Sequence, residues 1–246
     1  MNTNYTAITS MDRKYYNHCG KAMLASYKEN LSHLFRLCVY NEDDFRIKVK
    51  TVESMGWDLG KEYLDFQTRH KNPKVKTFAK KGFPIIDAMY NLDCDRLIWL
   101  DADTIIETTI PIQLLDLISP SDVLSTHFSV WHYKNGINYH SCETGFFILN
   151  KTHPGYDEFC NTYKDIYVND KQDNLRRFYD GEVYGKTVEL MEAKGCKMLN
   201  LNPGRHKTPI ARSVIAPYVT HFKAGLKDNI DNNVLEERYL NQQDEI

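Results

Sequence analysis

The sequence predicts an α/β fold, with one domain built on a mixed, mostly parallel central sheet flanked by helices. Three observations support this prediction. Short apolar, β-rich segments alternate along the chain with longer segments whose apolar residues recur at helical spacing. No repeat, low-complexity block or linker divides the 246 residues, a length that suits one large domain. The segment Leu97–Leu100 is continuously apolar and stops abruptly at Asp101, which is typical of a strand buried on both faces.

The first half of the chain contains three predicted strands and two predicted helices. Pro84 suits the first turn of a helix, because Ile85, Ala88, Met89 and Leu92 follow it at helical spacing. The pattern between residues 45 and 57 is ambiguous. In order, we predict strand 6–9, a helix carrying Tyr16, Met23, Leu24 and Tyr27, strand 34–40, helix 84–92 and strand 96–100.

The second half contains the remaining predicted elements. Thr152 and Pro154 suit a helix start, and Gly195 suits a helix end. We predict strands at 123–128 and 146–150, a helix through Tyr156–Tyr167, a helix through Val183–Met191, a strand at 198–201 and a polar tail from Asp228.

Composition excludes several classes of function. Lys and Arg total 31 against 33 Asp and Glu, so the net charge of -2 gives no global field to hold a polyanion. No apolar run approaches the ~20 residues of a membrane helix, and no secretory signal is visible. The six cysteines never fall at Cys-x-x-Cys spacing. We therefore expect no structural zinc site, reduced thiols and a cytoplasmic protein without a membrane span.

The pair Asp101 and Asp103 is the first candidate site. Two carboxylates across one residue can converge from a turn on a hard divalent cation. Aspartate is common in this chain, and a second such pair occurs at Asp93 and Asp95. Only the first pair follows the carboxyl end of a buried strand, where open α/β sheets bind ligands. The alternative for this pair is a solvated turn in which Thr104 caps backbone groups.

Further candidates lie downstream of the aspartate pair. His221 can supply a nitrogen ligand, and Gly225 and Lys227 can approach a phosphate closely and neutralise it. Glu143 lies beside a glycine at the entry to a strand, where backbone can come close to a ligand. Asp180 and Glu182 flank a glycine at the entry to a helix, and Asp180 also suits the N-cap of that helix.

The order of these motifs resembles nucleotide-sugar-dependent glycosyltransferases of the GT-A fold, with likeness to glycosyltransferase family 8. The resemblance extends over most of the chain, and its most specific parts are the Asp-x-Asp pair and the late histidine. Its motifs are Thr9–Tyr16, Lys81–Pro84, Leu97–Asp103, Glu143–Gly145, Asp180–Glu182 and His221–Lys227.

The resemblance implies transfer of a sugar from a nucleoside-diphosphate sugar, with a UDP-sugar favoured. Asp101, Asp103 and His221 would hold a manganese or magnesium ion that bridges the diphosphate and acts as a Lewis acid on the leaving group. The resemblance also implies a nucleoside pocket lined by Thr9, Ser10 and Tyr15. Lys81, Gly225 and Lys227 would neutralise the charge of the diphosphate. Glu143, Asp180 or Glu182 would contact the sugar hydroxyls or accept the acceptor's proton.

The resemblance also divides the chain, into a nucleotide-binding part at about 1–104, an acceptor- and sugar-binding part at about 105–227 and a tail at about 228–246. The acceptor stays open between a glycan, a protein hydroxyl and a modified DNA base. One alternative function is a haloacid-dehalogenase-like phosphatase with Asp101 as nucleophile, because the string Asp101–Thr104 fits that motif. Another is a catalytically inactive module that binds nucleotide sugars.

Overall fold

The part of the chain that the structure describes contains nine strands and seven helices. The elements that the sequence predicts occur among them in the predicted order, together with further elements that it does not predict. The computed structural model describes residues 3–43, 45, 47, 49, 51–134, 137–169, 171, 175, 178–204 and 208–222. Within them the strands are β1 Tyr5–Met11, β2 Arg36–Asn41, β3 Val52–Met55, β4 Arg96–Leu100, β5 Thr104–Ile106, β6 Ser125–Lys134, β7 Ile137–Asn150, β8 Met198–Asn200 and β9 Val219–His221.

The helices cover both faces of the sheet. The first begins as α1 Arg13–Tyr15 and continues through a π-helical turn, Tyr16–Gly20, into α2 Lys21–Asn30. The others are α3 Gly60–Arg69, α4 Pro73–Asn91, α5 Ile112–Ile118, α6 Tyr156–Val168 and α7 Asp180–Ala193, with a short 3-10 turn at Ile210–Arg212.

The central sheet has seven strands in the order β3-β2-β1-β4-β7-β6-β8. Strands β3, β2, β1 and β4 are parallel, β7 runs antiparallel to both β4 and β6, and β8 is parallel to β6. A separate two-stranded antiparallel sheet joins β5 to β9. The predicted mixed, mostly parallel sheet is therefore confirmed, including the central position of β4.

Apolar side chains pack on both faces of this sheet. One core lies under α4, α6 and α7 and is rich in aromatic rings, with Trp99 and Phe147 at its centre. The other lies under α2 and α5 and contains Leu100 and Ile148. Within the described residues, no helix combines the length and apolarity needed to cross a bilayer. All six cysteines carry free thiols.

The prediction that Pro84 begins a helix is wrong. Helix α4 begins at Pro73, where the side chain of Asn72 accepts a hydrogen bond from Lys74 N at 3.0 Å, and Pro84 lies in its interior. An internal proline leaves the carbonyl four residues earlier without its helical donor. That carbonyl belongs to Lys80, and the hydroxyl of Ser10 lies 3.5 Å from it as a replacement donor. The contact from Ser10 of β1 therefore helps helix α4 to continue through Pro84, although the sequence around this proline is typical of a helix start.

Two element boundaries also differ from prediction. Helix α6 begins at Tyr156, later than expected, because Thr152 turns back and donates to Asn150 through both its backbone N–H and its hydroxyl. Strands β6 and β7 form one long hairpin that extends well beyond the predicted segments. Within the ambiguous segment 45–57 lies β3, an edge strand. The predicted tail from Asp228, together with Gly225 and Lys227, lies outside the described residues.

Candidate metal site at the edge of the sheet

The turn after β4 directs two aspartates to one point. The backbone N–H of Asp101 donates to Gly145 O of β7 at 3.0 Å, and Thr104 N donates back to Asp101 O at 3.0 Å. Phe222 N, which follows β9, donates to Asp103 O at 3.0 Å. Because the turn is anchored to strands on two sides, the carboxylates of Asp101 and Asp103 are held at the carboxyl end of β4.

Strand β9 brings His221 to the same point. Antiparallel pairing with β5 sets His221 opposite Thr104, directly after the aspartate turn. His221 Nε2 lies 3.1 Å from Asp103 Oδ1 and 3.5 Å from Asp101 Oδ2. The structure thus brings together the three predicted metal ligands, two of which lie 118 residues apart in sequence.

The three side chains fit a divalent cation. One ligand atom from each lies within 4.8 Å of the others, and this is the cluster of potential metal ligands found among the described residues. In octahedral coordination with metal–ligand bonds of about 2.1 Å, neighbouring ligand atoms stand about 3 Å apart. The measured separations of 3.1 and 3.5 Å are close to that value. Two carboxylates and one imidazole are ligands that divalent cations bind.

The site concentrates charge in a poorly solvated position. Burial disfavours the charged imidazole of His221, but Asp101 and Asp103 outweigh this effect and raise its pKa to about 9. Burial likewise favours the neutral form of Asp101, whereas Lys81 and His221 hold its pKa well below the usual range. Lys81 and a proton on His221 therefore offset part of the negative charge of the two aspartates, since Asp180 and Glu143 lie against the same two cations.

Lys81 of α4 lies between two carboxylates. Its Nζ is 2.6 Å from Asp101 Oδ1, 2.6 Å from Thr144 O and 3.0 Å from Asp180 Oδ2. The ammonium also lies 5.0 Å from the centre of the Trp99 ring. Lys81 therefore links the predicted metal ligand Asp101 to the predicted catalytic residue Asp180. The three protons of its ammonium group all face acceptors within the protein.

Asp180 and Glu143 occupy opposite sides of β7. Asp180 is the first residue of α7, and Thr144 donates to its Oδ2 at 2.6 Å. Tyr179 occupies the N-cap, so the N-cap prediction for Asp180 is wrong. Glu143 Oε1 instead lies 3.2 Å from His221 Nδ1 and accepts from Gly145 N at 3.2 Å. Because successive residues of a strand face opposite sides, Glu143 contacts His221 whereas its neighbour Thr144 contacts Asp180.

The remaining predicted residues surround this cluster unevenly. The hydroxyl of Tyr15 donates to Asp103 Oδ2 at 3.3 Å, which links the segment after β1 to the aspartate turn. Thr9 is fully buried at the end of β1, and Ser10 makes the contact to α4 described above. Glu182 is buried in the first turn of α7.

Two residues of the site were missed from the sequence. Trp99 Nε1 donates to Asp101 Oδ1 at 2.7 Å, and Thr144 holds both Asp180 and, through its carbonyl, Lys81. A signal for Trp99 existed, because residues two apart on a strand share a face and Trp99 precedes Asp101 by two positions. No local signal identifies Thr144, whose partners come from distant helices.

Several solved glycosyltransferases have a similar arrangement of strands and helices. The bifunctional glycosyltransferase WbbM matches 99% of this chain with a TM-score of 0.56 and 10% identity. GlyE of Streptococcus pneumoniae TIGR4 matches 98% with a TM-score of 0.55 and 13% identity. The galactosyltransferase LgtC, in complex with donor and acceptor sugar analogs, matches 98% with a TM-score of 0.52 and 12% identity. The fold is GT-A-like.

These likenesses establish the fold alone, because the identities are low. The chain spans 52% of the WbbM chain and 64% of the GlyE chain, whereas it covers 97% of the LgtC chain. No protein-family model matches the sequence, and no curated protein matches it significantly. The chemistry must therefore be argued from the site.

Proposed function

We propose that the protein is a metal-dependent glycosyltransferase that moves a sugar from a nucleoside-diphosphate sugar to an acceptor. The observation that carries the proposal is the convergence of Asp101, Asp103 and His221 at the carboxyl end of β4. In open α/β sheets this edge is where ligands bind. The fold that presents the three residues is one that solved glycosyltransferases share.

In this proposal Asp101, Asp103 and His221 hold a manganese or magnesium ion. Such an ion, when bound, supplies Lewis-acid stabilisation to the departing nucleoside diphosphate. Tyr15 donates to the carboxylate of Asp103 and fixes its orientation. Glu143 Oε1 lies 3.2 Å from Nδ1 of His221 without forming a hydrogen bond, so its carboxylate acts on the imidazole as a nearby negative charge.

The opposite side of the cluster is assigned to the sugar and the acceptor. Asp180 is held in place by Thr144 and Lys81, which suits a group that contacts sugar hydroxyls or accepts a proton. Glu182, two residues further along α7 and buried, is the second candidate for these roles. Lys81 carries a permanent positive charge beside Asp101 and contributes to the field felt by the diphosphate.

The remaining assignments in this proposal follow from the sequence resemblance. The resemblance assigns Thr9, Ser10 and Tyr15 to the nucleoside pocket, although Thr9 itself is fully buried. It assigns Gly225 and Lys227, which lie outside the described residues, to the diphosphate. The nucleotide part covers about 1–104 and the acceptor part about 105–227. UDP is the favoured nucleotide, the enzyme is a hexosyltransferase of family-8 type, and its location is cytoplasmic.

Donor turnover tests the proposal. The protein is incubated with UDP-glucose, UDP-galactose, UDP-N-acetylglucosamine and GDP-mannose, each with Mn²⁺ or Mg²⁺, and the nucleoside diphosphate released is measured. We expect metal-dependent release from one donor and its loss in Asp103→Ala. Calorimetry of UDP with Mn²⁺ provides the binding readout. Equal UDP affinity in Asp103→Ala and wild type would show that the metal site is not real.

The same assay separates the alternatives. Metal-dependent hydrolysis of p-nitrophenyl phosphate without release of any nucleoside diphosphate identifies a phosphatase. Tight, metal-dependent binding of a UDP-sugar with no turnover in the presence of any acceptor identifies an inactive binding module. The phosphatase alternative requires Asp101 to attack phosphorus through Oδ2, because its Oδ1 accepts hydrogen bonds from Lys81 and Trp99.

A further inference from the structure

The hairpin of β6 and β7 projects past the candidate metal site. The last residue of β4, Leu100, pairs with Phe146, so residues 137–145 of β7 extend beyond the carboxyl end of β4. Trp131 of β6 pairs with His140 of β7 on this extension. The rings of Trp131 and His140 lie 5.1 Å apart and are tilted by 33°.

Trp131 is exposed, and the half-buried His140 beside it is held in place. Trp131 is 45% exposed and is the most exposed of the three tryptophans, whereas Trp99 is buried in the core. Beneath the pair, His140 Nε2 lies 3.0 Å from Ser129 Oγ, which in turn lies 3.0 Å from Nε2 of the buried His127. An exposed indole whose neighbour is anchored by buried groups offers a preorganised flat surface.

The pair shares a face of the hairpin with Asp180. His140 and Thr144 are separated by four residues of β7, so their side chains point to the same side. Thr144 holds the carboxylate of Asp180. Four residues of extended strand span about 13 Å. A short oligosaccharide is therefore long enough to reach from Trp131 to Asp180.

The surroundings favour a neutral ligand. Helix α7 packs directly against β7 beside this pair, since a Cβ at Gly185 would stand 2.9 Å from Ser141 Cα. That helix carries four acidic residues and one lysine, and the lysine, Lys186, is paired with Glu189 at 3.2 Å. Such a neighbour repels the phosphates of a nucleic acid. It does not repel a neutral sugar, whose apolar face packs on an indole ring.

We propose that Trp131 and His140 form a stacking platform for a sugar ring of the acceptor, and that the acceptor is a glycan. This inference rests on the proposed transferase function and names its acceptor class. The ring on the platform is remote from the reacting hydroxyl, which approaches Asp180. A protein hydroxyl would not need this platform. A DNA base also stacks on aromatic rings, so it is the acidic helix α7 that disfavours a DNA acceptor.

The test measures disaccharide binding to the protein with Mg²⁺ and UDP present, by saturation-transfer NMR. The probes are lactose, cellobiose, maltose and N,N′-diacetylchitobiose, together with a serine- and threonine-containing peptide and a single-stranded decanucleotide. We expect at least one disaccharide to bind wild type and to bind Trp131→Ala roughly tenfold more weakly, which is about 1.4 kcal/mol. Trp131→Phe should retain an intermediate affinity because it keeps a smaller ring.

Tyr90→Ala is the matched control. Tyr90 is 49% exposed and lies at the end of α4, close to the opposite edge of the sheet. We expect this variant to bind the disaccharide like wild type. Equal disaccharide affinity in Trp131→Ala, no disaccharide binding to wild type, or binding of the peptide or the oligonucleotide alone overturns the platform. Should Trp131→Ala fail to fold, the disaccharide affinity of Trp131→Phe decides: an affinity below that of wild type supports the platform, and an equal affinity overturns it.

Donor binding distinguishes this inference from the proposed function. Stabilisation of Trp131→Ala by UDP and Mg²⁺ should equal that of wild type, because His140 lies five positions of β7 before Gly145, the residue that accepts the backbone hydrogen bond of Asp101. Intact donor turnover without Trp131-dependent disaccharide binding overturns the platform alone. Disaccharide binding that depends on Trp131, in a protein that never turns over a nucleotide sugar, overturns the transferase proposal and leaves a glycan-binding surface.

Discussion

Gly145 lies directly against the imidazole ring of His221. A Cβ at residue 145 would stand 2.5 Å from His221 Nδ1 and 2.6 Å from Cε1, distances at which one of the two must move. The same glycine accepts the backbone hydrogen bond of Asp101 and donates to Glu143. The glycine that follows Glu143 and Thr144 in sequence is thus explained by a close approach between β7 and β9.

Gly145→Ala should therefore disturb the metal site without unfolding the sheet. Displacement of the His221 ring removes the nitrogen ligand from its position beside Asp103. We expect Mn²⁺ affinity in calorimetry to fall at least about tenfold, or about 1.4 kcal/mol. Gly56→Ala is the matched control, because a Cβ there meets nothing within 4 Å. Wild-type Mn²⁺ affinity in Gly145→Ala would show that His221 is not a ligand.

Metal binding should strengthen as pH rises. The pKa of His221 in the metal-free protein is raised to about 9 by Asp101 and Asp103, although burial acts in the opposite direction. At pH 7 the imidazole carries a proton that must leave before Nε2 can bind metal. One displaced proton gives an increase in apparent Mg²⁺ affinity of about tenfold per pH unit below the pKa.

Calorimetry of Mg²⁺ binding between pH 6.5 and 8.5 measures this slope. His221→Gln should bind Mg²⁺ more weakly and with a much flatter pH profile, because the displaced proton is gone. A wild-type profile as flat as that of the variant would contradict the assignment of His221 as a ligand.

The sequence predicts the frame of this molecule better than its details. The apolar run Leu97–Leu100 and the aspartate after it identify the central strand and its carboxyl end, because a buried parallel strand has a distinctive composition. Pro84 misleads, because its position in mid-helix depends on a replacement donor from Ser10, which no local pattern reveals. Tertiary contacts override local preference at this residue.

The candidate site shows the same division. Asp101, Asp103 and His221 are the residue types that a cation needs, and they were found by type and by resemblance. That they meet depends on the pairing of β5 with β9, two three-residue strands far apart in sequence. The sequence also does not separate the roles of Glu143 and Asp180. Only the register of β7 shows that Glu143 faces His221 and that Thr144, its neighbour, faces Asp180.

Loss of Lys81 should cost stability as well as activity. Lys81→Met leaves the carboxylates of Asp101 and Asp180 close together without a cation. Because these side chains are partly buried, the loss should cost more than the ~1 kcal/mol of an exposed pair and less than the ~3–5 kcal/mol of a fully buried one. Lys80→Met is the matched control in the adjacent residue. Lys80 is 36% exposed and pairs with Glu42 at 3.0 Å, so its loss should cost at most about 1 kcal/mol.

Urea denaturation of both lysine variants checks this difference. The double variant Lys81→Met with Asp180→Asn should recover part of the stability, because it removes one of the two facing charges. Equal free energies of unfolding for Lys81→Met and Lys80→Met would contradict the role assigned to Lys81 as the cation between two carboxylates.

The most direct test of the account examines the ligands of the ion itself. Pulsed EPR of Mn²⁺ added to the protein with UDP detects directly bound imidazole nitrogen and diphosphate phosphorus in the same sample. We predict coupling to one histidine nitrogen and to phosphorus together, with the nitrogen signal lost in His221→Gln. Phosphorus coupling with no histidine nitrogen in the wild-type protein would show that Asp101, Asp103 and His221 do not form one metal site.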